Sequence, residues 1–312
     1  MFALRGIAVS LTFFVVLYCL LSLMVGLGWR SLKLLHKKSE RSLANLLFGL
    51  RILPVAASAL ITLGLVVPSF QLLEPRSIEE DMGLMPIVLG LCTLLLIAFG
   101  VLRVVTAQTR ASRVVALWMN GASLHIVETD VVTFHSRPDV PPLTLVGVCK
   151  PRVLVSESTI SLLSREELRI ALKHEVAHLR SCDNLKKLVF RFFPFPGMAK
   201  LESAWSQAAE LAADDAAVSN AKEAVDLAAA LVKVSRLVLV ESAPACTVGF
   251  LTGTIRDRVA RLVTWDEVIR SKEVQSHRWY AIAPAGAALL CVFATYVPAL
   301  TVTHQITEWI VR

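Results

Sequence analysis

Residues 164–180 read SREELRIALKHEVAHLR, a stretch with the pattern of an amphipathic helix. Ser164, followed three residues later by Glu167, has the capping-box form that starts a helix. Apolar residues then recur at the helical spacing: Leu168, Ala171, Leu172, Val176 and Leu179. The sequence therefore predicts a helix with one apolar face in this part of the chain.

The second half of this helix carries the motif His174-Glu175-Val176-Ala177-His178. Histidines four residues apart project from one helix face, which suits two nitrogen ligands of one Zn²⁺ at about 2.0–2.1 Å. Glu175, next to the first histidine, is placed to take a proton from a metal-bound water. An ordinary helix with a polar face is the alternative, because so short a motif also arises by accident.

The next helical stretch, residues 208–215, reads AAELAADD. A catalytic zinc takes three protein ligands and keeps one position open, and Glu210 is the candidate for the third ligand. Asp214, four residues later on the same face, is placed to accept a hydrogen bond from the free ring nitrogen of a ligating histidine. A solvated acidic patch is the alternative for Glu210 and the preferred interpretation for Asp215.

The composition of the 312 residues, 55% hydrophobic and 18% charged, excludes a purely water-soluble protein and a disordered chain. Four charge-free runs are long enough to cross about 30 Å of hydrocarbon, at residues 6–29, 52–73, 82–102 and 279–307. We expect the last helix to end near residues 298–303. The sequence thus predicts three transmembrane helices in residues 1–103, a soluble domain in residues 104–278, and a fourth transmembrane helix with a short external tail in residues 279–312.

Basic residues flank these runs on one side of the predicted membrane. The first connection contains Arg30, Lys33, Lys37, Lys38, Arg41 and Arg51, and the second is acidic at Glu74, Glu79, Glu80 and Asp81. Because short basic loops face the cytoplasm, the soluble domain is predicted to be cytoplasmic, in a bacterial inner membrane. The net charge of +7 is expected to interact with the headgroups of the lipid bilayer rather than directly with nucleic acid.

The predicted soluble domain opens with a linker or amphipathic segment at residues 104–119. Short β-rich pieces follow at residues 124–128, 131–135, 143–148 and 152–155, and helices follow them, so the domain is predicted to be α+β. The six cysteines form no C-x-x-C pair, which indicates a reducing compartment without disulfides. Cys182 is either a metal ligand or, as preferred, a small buried residue on a helix.

Four segments together resemble a known family: residues 147–155, residues 164–168, the histidine motif with the Asp183-Asn184 that follows it, and residues 210–215. They are similar to the integral-membrane zinc metallopeptidases of the β-lactamase-inducing antirepressor family, the Bla/Mec sensor-transducers. The resemblance implies four transmembrane helices, with a cytoplasmic gluzincin-like α+β zinc domain inserted between the third and the fourth.

The same resemblance implies specific roles for the residues of the motif. One Zn²⁺ per chain would be bound by His174, His178 and Glu210. Glu175 would act as the general base, and Asp214 would support the site. Residues 254–263, which include Arg258, resemble more weakly an Arg-containing helix of related membrane endopeptidases.

The activity that the resemblance implies is hydrolysis of peptide bonds in a protein substrate, either a cytoplasmic transcriptional repressor or the enzyme itself. The antirepressors continue into an extracellular penicillin-binding sensor, and this sequence is expected to lack one. The signal would then come from a separate sensor protein or from the chain's own helices and outer loop, or the enzyme is constitutive. The alternatives are a quality-control protease for membrane proteins and a catalytically silent, metal-binding signalling scaffold.

Substrate binding and oxyanion stabilisation are less well defined by the sequence. An extended substrate would add to an exposed strand edge, with Val146, Gly147 and Val148 as candidates and a plain core strand as the equal alternative. The tyrosines all lie in predicted spans, which leaves as oxyanion donors His125, His135, Arg180 and the arginines near Arg258.

Overall fold

The computed structural model describes residues 2–31, 39–75, 83–119, 123–125, 133–136, 143–146, 152–241, 248–265 and 296–308. The described part is mostly helical and contains one four-stranded sheet. Its helices fall into a group of long apolar helices near the start of the chain and a group of shorter helices that surrounds the histidine motif.

Three long apolar helices make up the first group. α1 spans Phe2–Gly28. α2 spans Glu40–Ile61 and continues through a π-helical turn, Thr62–Val66, into α3, Val67–Leu73. α4 spans Leu84–Met119. Each of the three is long and apolar enough to cross a membrane, and each exposes leucine side chains along its length. Such exposed apolar surfaces are typical of contact with lipid.

The bounds of these helices differ from the predicted spans. α2 begins at Glu40 rather than near residue 52, because Arg51 is buried within the helix instead of lying in a loop. α4 runs without a break through residues 104–119, predicted as an amphipathic or linker segment. Its 36 residues therefore extend about 54 Å at about 1.5 Å per residue, well beyond the hydrocarbon.

The fourth predicted span lies mostly outside the described residues. Its last part is described and is helical over residues 296–308, so the helix end expected near residues 298–303 is wrong. Tyr296 of this segment donates a hydrogen bond of 3.0 Å to the carbonyl of Gly64. Pro68 has no N–H to offer to that carbonyl, which lies four residues before it. The tyrosine therefore donates a hydrogen bond to this π-helical turn and links the terminal segment to the junction of α2 and α3.

Each of the four predicted strands overlaps one strand of the described sheet. β1 spans Ser123–His125, β2 Thr133–Ser136, β3 Leu143–Val146 and β4 Arg152–Ser156. The strand order is β1-β2-β4-β3, with β2 and β4 parallel and the other two pairs antiparallel. β3 is therefore an edge strand of the described sheet.

Six helices follow the sheet: α5 at Glu157–Leu162, α6 at Arg165–Arg180, α7 at Asp183–Phe192, α8 at Ala199–Ala217, α9 at Ala221–Glu241 and α10 at Val248–Val263. α6 is held from two sides. Its Leu172 packs with Val153 and Val155 of the sheet, and its Ile170 packs in a cluster with residues of α9 and α10. The helix with the histidine motif therefore lies at the centre of this group of helices.

The membrane helix α2 packs directly against α8. Ala44 and Leu47 of α2 share a buried cluster with Trp205, Ala208 and Ala209, immediately before Glu210 in the sequence. The helix that carries one candidate ligand is thus fixed to a membrane helix.

A buried arginine reinforces the contact between α2 and α8. Arg51 is 1% exposed, and its Nε lies 2.8 Å from Glu202 Oε1. Its Nη2 also donates to the carbonyls of Phe190 and Phe193, where α7 ends, at 3.4 and 2.5 Å. Because these carbonyls have no further donor in their own helix, Arg51 satisfies several groups that would otherwise be buried unpaired.

Replacing Arg51 by Met should lower the midpoint of thermal unfolding in detergent by on the order of 5–10 °C. Removal of one partner from a buried ion pair costs about 3–5 kcal/mol of stability. Because the Glu202 side chain is partly exposed to solvent, we expect a loss near the lower end of this range. Arg103→Met is the matched control, because Arg103 is exposed on α4. Equal midpoints for the two variants would show that the Arg51 contacts contribute little.

Candidate metal centre

Local sequence explains where α6 begins and how it presents the motif. Ser164 accepts a hydrogen bond from the backbone of Glu167, and the Glu167 carboxylate accepts one from the backbone of Ser164, so the predicted capping box is present. From this start the helix continues for two and a half turns before His174. Both motif histidines are largely buried, on the side of α6 that faces α8.

The two histidines and Glu210 converge on one point. His174 Nε2 lies 3.1 Å from His178 Nε2. Glu210 Oε2 lies 3.6 Å from His174 Nε2, and Glu210 Oε1 lies 3.6 Å from His178 Nε2. Glu210 comes from α8, so the cluster joins two helices that are distant in sequence.

These distances fit a metal ion. A tetrahedral zinc with bonds of about 2.0–2.1 Å separates its ligand atoms by about 3.3–3.4 Å, which is between the two observed values. Two neutral imidazole lone pairs that face each other repel, whereas a shared cation makes the arrangement favourable. The nitrogen and oxygen donor set is also the one zinc takes in peptidases. The three residues therefore fit a single zinc ion.

The outer nitrogen of each histidine lies against a carboxylate. His178 Nδ1 is hydrogen-bonded to Asp183 Oδ2 at 2.7 Å. His174 Nδ1 lies 3.0 Å from Asp214 Oδ1, although not in line for a hydrogen bond. A carboxylate at Nδ1 keeps the proton on that nitrogen and leaves the Nε2 lone pair directed at the metal. Asp214 thus lies beside the ring of His174, and its hydrogen bond to a ligating histidine stays a prediction.

Asp183 is the hydrogen-bond partner of His178, a role that was not predicted from the sequence. It follows Cys182, which has φ 55° and ψ 36°, in the left-handed region, and this turn between α6 and α7 brings Asp183 back towards His178. Cys182 itself is exposed in the turn, so the expectation that it is buried on a helix is wrong. The spacing of five residues between His178 and Asp183 was the available signal.

Arg258 of α10 completes the cluster. Its Nε and Nη2 donate to the two oxygens of Asp214 at 2.7 and 2.6 Å, and its Nη1 donates to Glu210 Oε2 at 2.9 Å. Such a bidentate pair fixes both orientation and charge. Arg258 therefore holds the candidate ligand Glu210 and the supporting Asp214 in one arrangement, which explains how a fully buried aspartate is tolerated.

Glu175 lies on α6 between the two histidines and is partly buried. Burial raises the pKa of its carboxyl above the ordinary value, and the neighbouring histidines and a hydrogen bond from the Leu145 backbone reduce that rise. A general base works best when its pKa is close to the operating pH. The environment of Glu175 thus changes its pKa in the direction that favours proton transfer.

The edge strand β3 lies next to this carboxylate. Besides the backbone contact of Leu145 with Glu175, the side-chain amide of Asn184 donates to the Leu145 carbonyl at 3.2 Å. Val146 is in β3, paired with Arg152 of β4. The other two substrate-strand candidates, Gly147 and Val148, lie outside the described residues.

The oxyanion donors named from the sequence are placed only in part. Arg180 is exposed, and Arg258 is occupied by Asp214 and Glu210. His125 is in β1 and His135 is in β2. Among the described side chains, none of these candidates is a free hydrogen-bond donor next to the metal cluster.

In the absence of a metal, the neighbouring carboxylates favour protonation of the motif histidines. Burial opposes the charged form of His178, but the hydrogen bond to Asp183 and the contacts with Glu210 raise its pKa to about 9. Burial likewise opposes the charge of Glu210, but the two histidines hold its pKa well below the ordinary value. At neutral pH a metal ion therefore has to displace at least one proton from the histidines.

Zinc affinity should accordingly rise at least tenfold per pH unit between pH 6 and pH 8. The sign follows from the raised pKa, because His178 is protonated below about 9 and only the neutral ring binds a metal. Competition titrations against a chromophoric chelator at three pH values measure this slope. Asp183→Asn should reduce the slope, and an affinity independent of pH in the wild type would contradict the proton displacement.

Replacing Asp214 by Asn should weaken zinc binding by about 10–100-fold, the usual effect of removing a carboxylate behind a ligating histidine. Asp214 is fully buried and pairs with both His174 and Arg258. The same competition titration measures the loss. Asp226→Asn serves as the control, since Asp226 is a partly exposed aspartate on α9 outside the metal cluster, and an unchanged affinity for Asp214→Asn would remove that residue from the site.

Comparison with known proteins agrees with this geometry. A family model described as BlaR1 peptidase M56 matches residues 17–262. The chain belongs to this family. The match confirms the resemblance drawn from the sequence, and it contains the histidine motif, Glu210 and Arg258. Together with the three apolar helices, membership of the BlaR1 peptidase M56 family makes the protein a membrane-associated metallopeptidase. A search of curated proteins gives no match.

Proposed function

We propose that this member of the BlaR1 peptidase M56 family is a zinc-dependent endopeptidase whose single catalytic zinc is held by His174, His178 and Glu210. The observation that carries the proposal is the geometry of the two Nε2 atoms. They face each other at 3.1 Å with Glu210 oxygens 3.6 Å away, and Asp214 and Asp183 lie at the opposite ring nitrogens. This arrangement leaves three lone pairs directed at one point.

The chemistry divides between the ion and the protein side chains. When bound, zinc polarises the scissile carbonyl and lowers the pKa of a water towards about 7. Glu175 accepts a proton from the attacking water and delivers it to the nitrogen of the leaving amine. Asp214, Asp183 and Arg258 hold the ligands in place through the contacts described above.

We propose that the substrate binds to the backbone of the edge strand β3. β3 is at the edge of the described sheet, and its Leu145 is adjacent to Glu175. Leu145 is already bonded to Asn184, so a substrate strand would pair beyond it, with Val146, Gly147 and Val148 as the binding segment.

The proposed orientation places the active site in the cytoplasm of a bacterium, with the chain in the inner membrane. The part of α4 that extends beyond one membrane thickness carries Arg103, Arg110 and Arg113, all exposed. Arginines directly after a span favour the cytoplasmic side. The fourth span, of which the described segment 296–308 forms the last part, remains part of the proposal.

The proposed substrate is a cytoplasmic or juxtamembrane protein, either a transcriptional repressor or the enzyme itself, with a separate sensor protein as the source of the signal. Broad quality-control proteolysis is the second candidate, because backbone pairing at β3 would accept many sequences. Measurement of substrate range distinguishes the two.

The test uses the full chain purified in detergent and loaded with zinc. We expect cleavage of an unfolded protein such as reduced casein, loss of cleavage with 1,10-phenanthroline, and recovery when zinc is restored. Cleavage of many unfolded proteins would favour quality control, whereas cleavage only of the chain itself would favour a signalling role. Bound zinc with no cleavage of any protein, including itself, would support the scaffold alternative.

A further inference from the structure

A second cluster of metal-ligating side chains lies outside the site described above. Glu74 ends α3, and His304 and Glu308 are one turn apart on the terminal segment 296–308. One ligand atom from each of the three lies within 4.8 Å of the other two. Among the described residues, this cluster and that of His174 are the two groups of such side chains close enough to hold a metal ion.

The second cluster is at the opposite end of the membrane helices from the first. Arg5, in the first turns of α1, lies 2.9 Å from Glu74. Val25, near the end of α1, packs against the buried cluster of α8 that precedes Glu210. Twenty helical residues separate these two positions, or about 30 Å at about 1.5 Å per residue. This distance is the thickness of the hydrocarbon, so the two clusters lie at opposite membrane faces.

The carboxylate of Glu74 offers one oxygen to the cluster. Its Oε1 pairs with Arg5 at 2.9 Å, while its Oε2 faces His304 Nδ1 at 3.8 Å. The Glu74 side chain is only 8% exposed. Among the described side chains of this cluster, two carboxylates accompany one guanidinium, and this excess of negative charge favours a bound cation.

His304 is the second and independent indication of a ligand. Its Nδ1 is buried and makes no hydrogen bond within the described part of the chain. Its Nε2 lies 3.5 Å from Glu308 Oε1, and neither ring nitrogen is within ordinary hydrogen-bond distance of its carboxylate. Glu308 is 47% exposed at the end of its segment, and the separations of 3.5 and 3.8 Å between ring nitrogens and carboxylate oxygens are slightly longer than the ligand separations in a zinc site.

We propose that Glu74, His304 and Glu308 form a second divalent-metal site, for Zn²⁺ or a similar ion, at the membrane face opposite the candidate active site. One imidazole and two carboxylates are a zinc-type donor set with room for water in the fourth position. The ion would link the terminal segment to α3, next to the contact of Tyr296 with Gly64. His304 and Glu308 lie beyond the residues matched by the family model, so this site does not follow from family membership.

The test counts zinc by elemental analysis after loading and desalting the full chain in detergent. We expect two zinc ions per wild-type chain, one in the double variant His174→Ala/His178→Ala, and none when His304→Ala is added. Gln305→Ala, an exposed neighbour on the same segment, should leave the count at two. Glu308→Gln is the milder second variant, since its side chain is half exposed, and it should lower the wild-type count from two to one.

Two results would overturn the proposal. One is a wild-type count of one that His304→Ala and Glu308→Gln leave unchanged. The other is a count of zero in the His174→Ala/His178→Ala variant, provided that its thermal unfolding midpoint shows a folded protein. If the candidate active site binds no zinc, the pattern is different. The zinc count is then insensitive to the substitutions of His174 and His178 but sensitive to His304→Ala.

Discussion

Replacing Glu175 by Gln should lower the rate of peptide hydrolysis by about 10²–10⁴-fold, the usual contribution of a general base, while the zinc content of the candidate active site stays at one ion. The amide keeps the size of the side chain but cannot accept a proton from water. Glu175 lies between the two histidines, and burial already raises its pKa. The measurement is the initial rate of casein cleavage by equal amounts of zinc-loaded wild type and variant.

Glu166→Gln is the matched control for this substitution. Glu166 is exposed on the same helix. Among the described side chains, Arg169 is the one with which it forms an ion pair. Its replacement should leave the rate within twofold of wild type. Equal rates for Glu175→Gln and Glu166→Gln would assign the proton transfer to another group, and loss of zinc in Glu175→Gln would make the rate uninformative about the base, so zinc is measured on the same sample.

Replacing Glu210 by Gln should reduce zinc affinity by more than the 10–100-fold that is typical of residues behind the ligands, and should abolish cleavage. Glu210 is the one ligand contributed by α8, and its carboxylate also accepts a hydrogen bond from Arg258. The variant therefore loses a charged ligand and leaves Arg258 with only Asp214 as its described partner. Competition titration measures the affinity and casein cleavage measures the activity.

Asp215→Asn controls for the loss of an acid from the same helix. Asp215 is paired with Arg261 at 2.8 Å and takes no part in the metal cluster. Zinc affinity and activity should be close to those of the wild type. Zinc binding by Glu210→Gln as tight as by Asp215→Asn would exclude Glu210 as a ligand and favour the interpretation that it belongs to a solvated acidic patch.

The part of the site predictable from sequence is the part encoded locally. The start of α6 follows from Ser164 and Glu167, and the helical period alone puts His174 and His178 on one face. Glu210 and Asp214 followed from the same four-residue spacing on α8. The spacing within each helix needs no knowledge of how the helices pack, whereas the approach of Glu210 and Asp214 to His174 depends on the packing of α8 against α6.

The partners contributed from a distance were not predictable in the same way. Arg258 is on α10, and only tertiary packing brings its guanidinium to Asp214 and Glu210. Asp183 is close in sequence, but it reaches His178 through a left-handed turn at Cys182, a conformation that a residue other than glycine rarely adopts. Sequence periodicity contains no information about either arrangement.

The ends of the membrane helices show a second limit of prediction from sequence. A hydropathy rule ends a span at a charged residue, and it therefore started the second span after Arg51. In the structure the helix continues through this position, because Glu202 neutralises the guanidinium and two backbone carbonyls accept its hydrogen bonds inside the protein. A charge paired by distant parts of the chain is compatible with a buried helix, but the sequence gives no sign of the pairing.

Zinc K-edge X-ray absorption of the zinc-loaded His304→Ala variant tests the central claim most directly, because this variant should retain only the ion held by His174, His178 and Glu210. The prediction is a first shell of nitrogen and oxygen at about 2.0–2.1 Å with the outer scattering of two imidazoles, of which one disappears when His178→Ala is added. A sulfur ligand, a shell without imidazole, or no bound zinc would contradict the assignment.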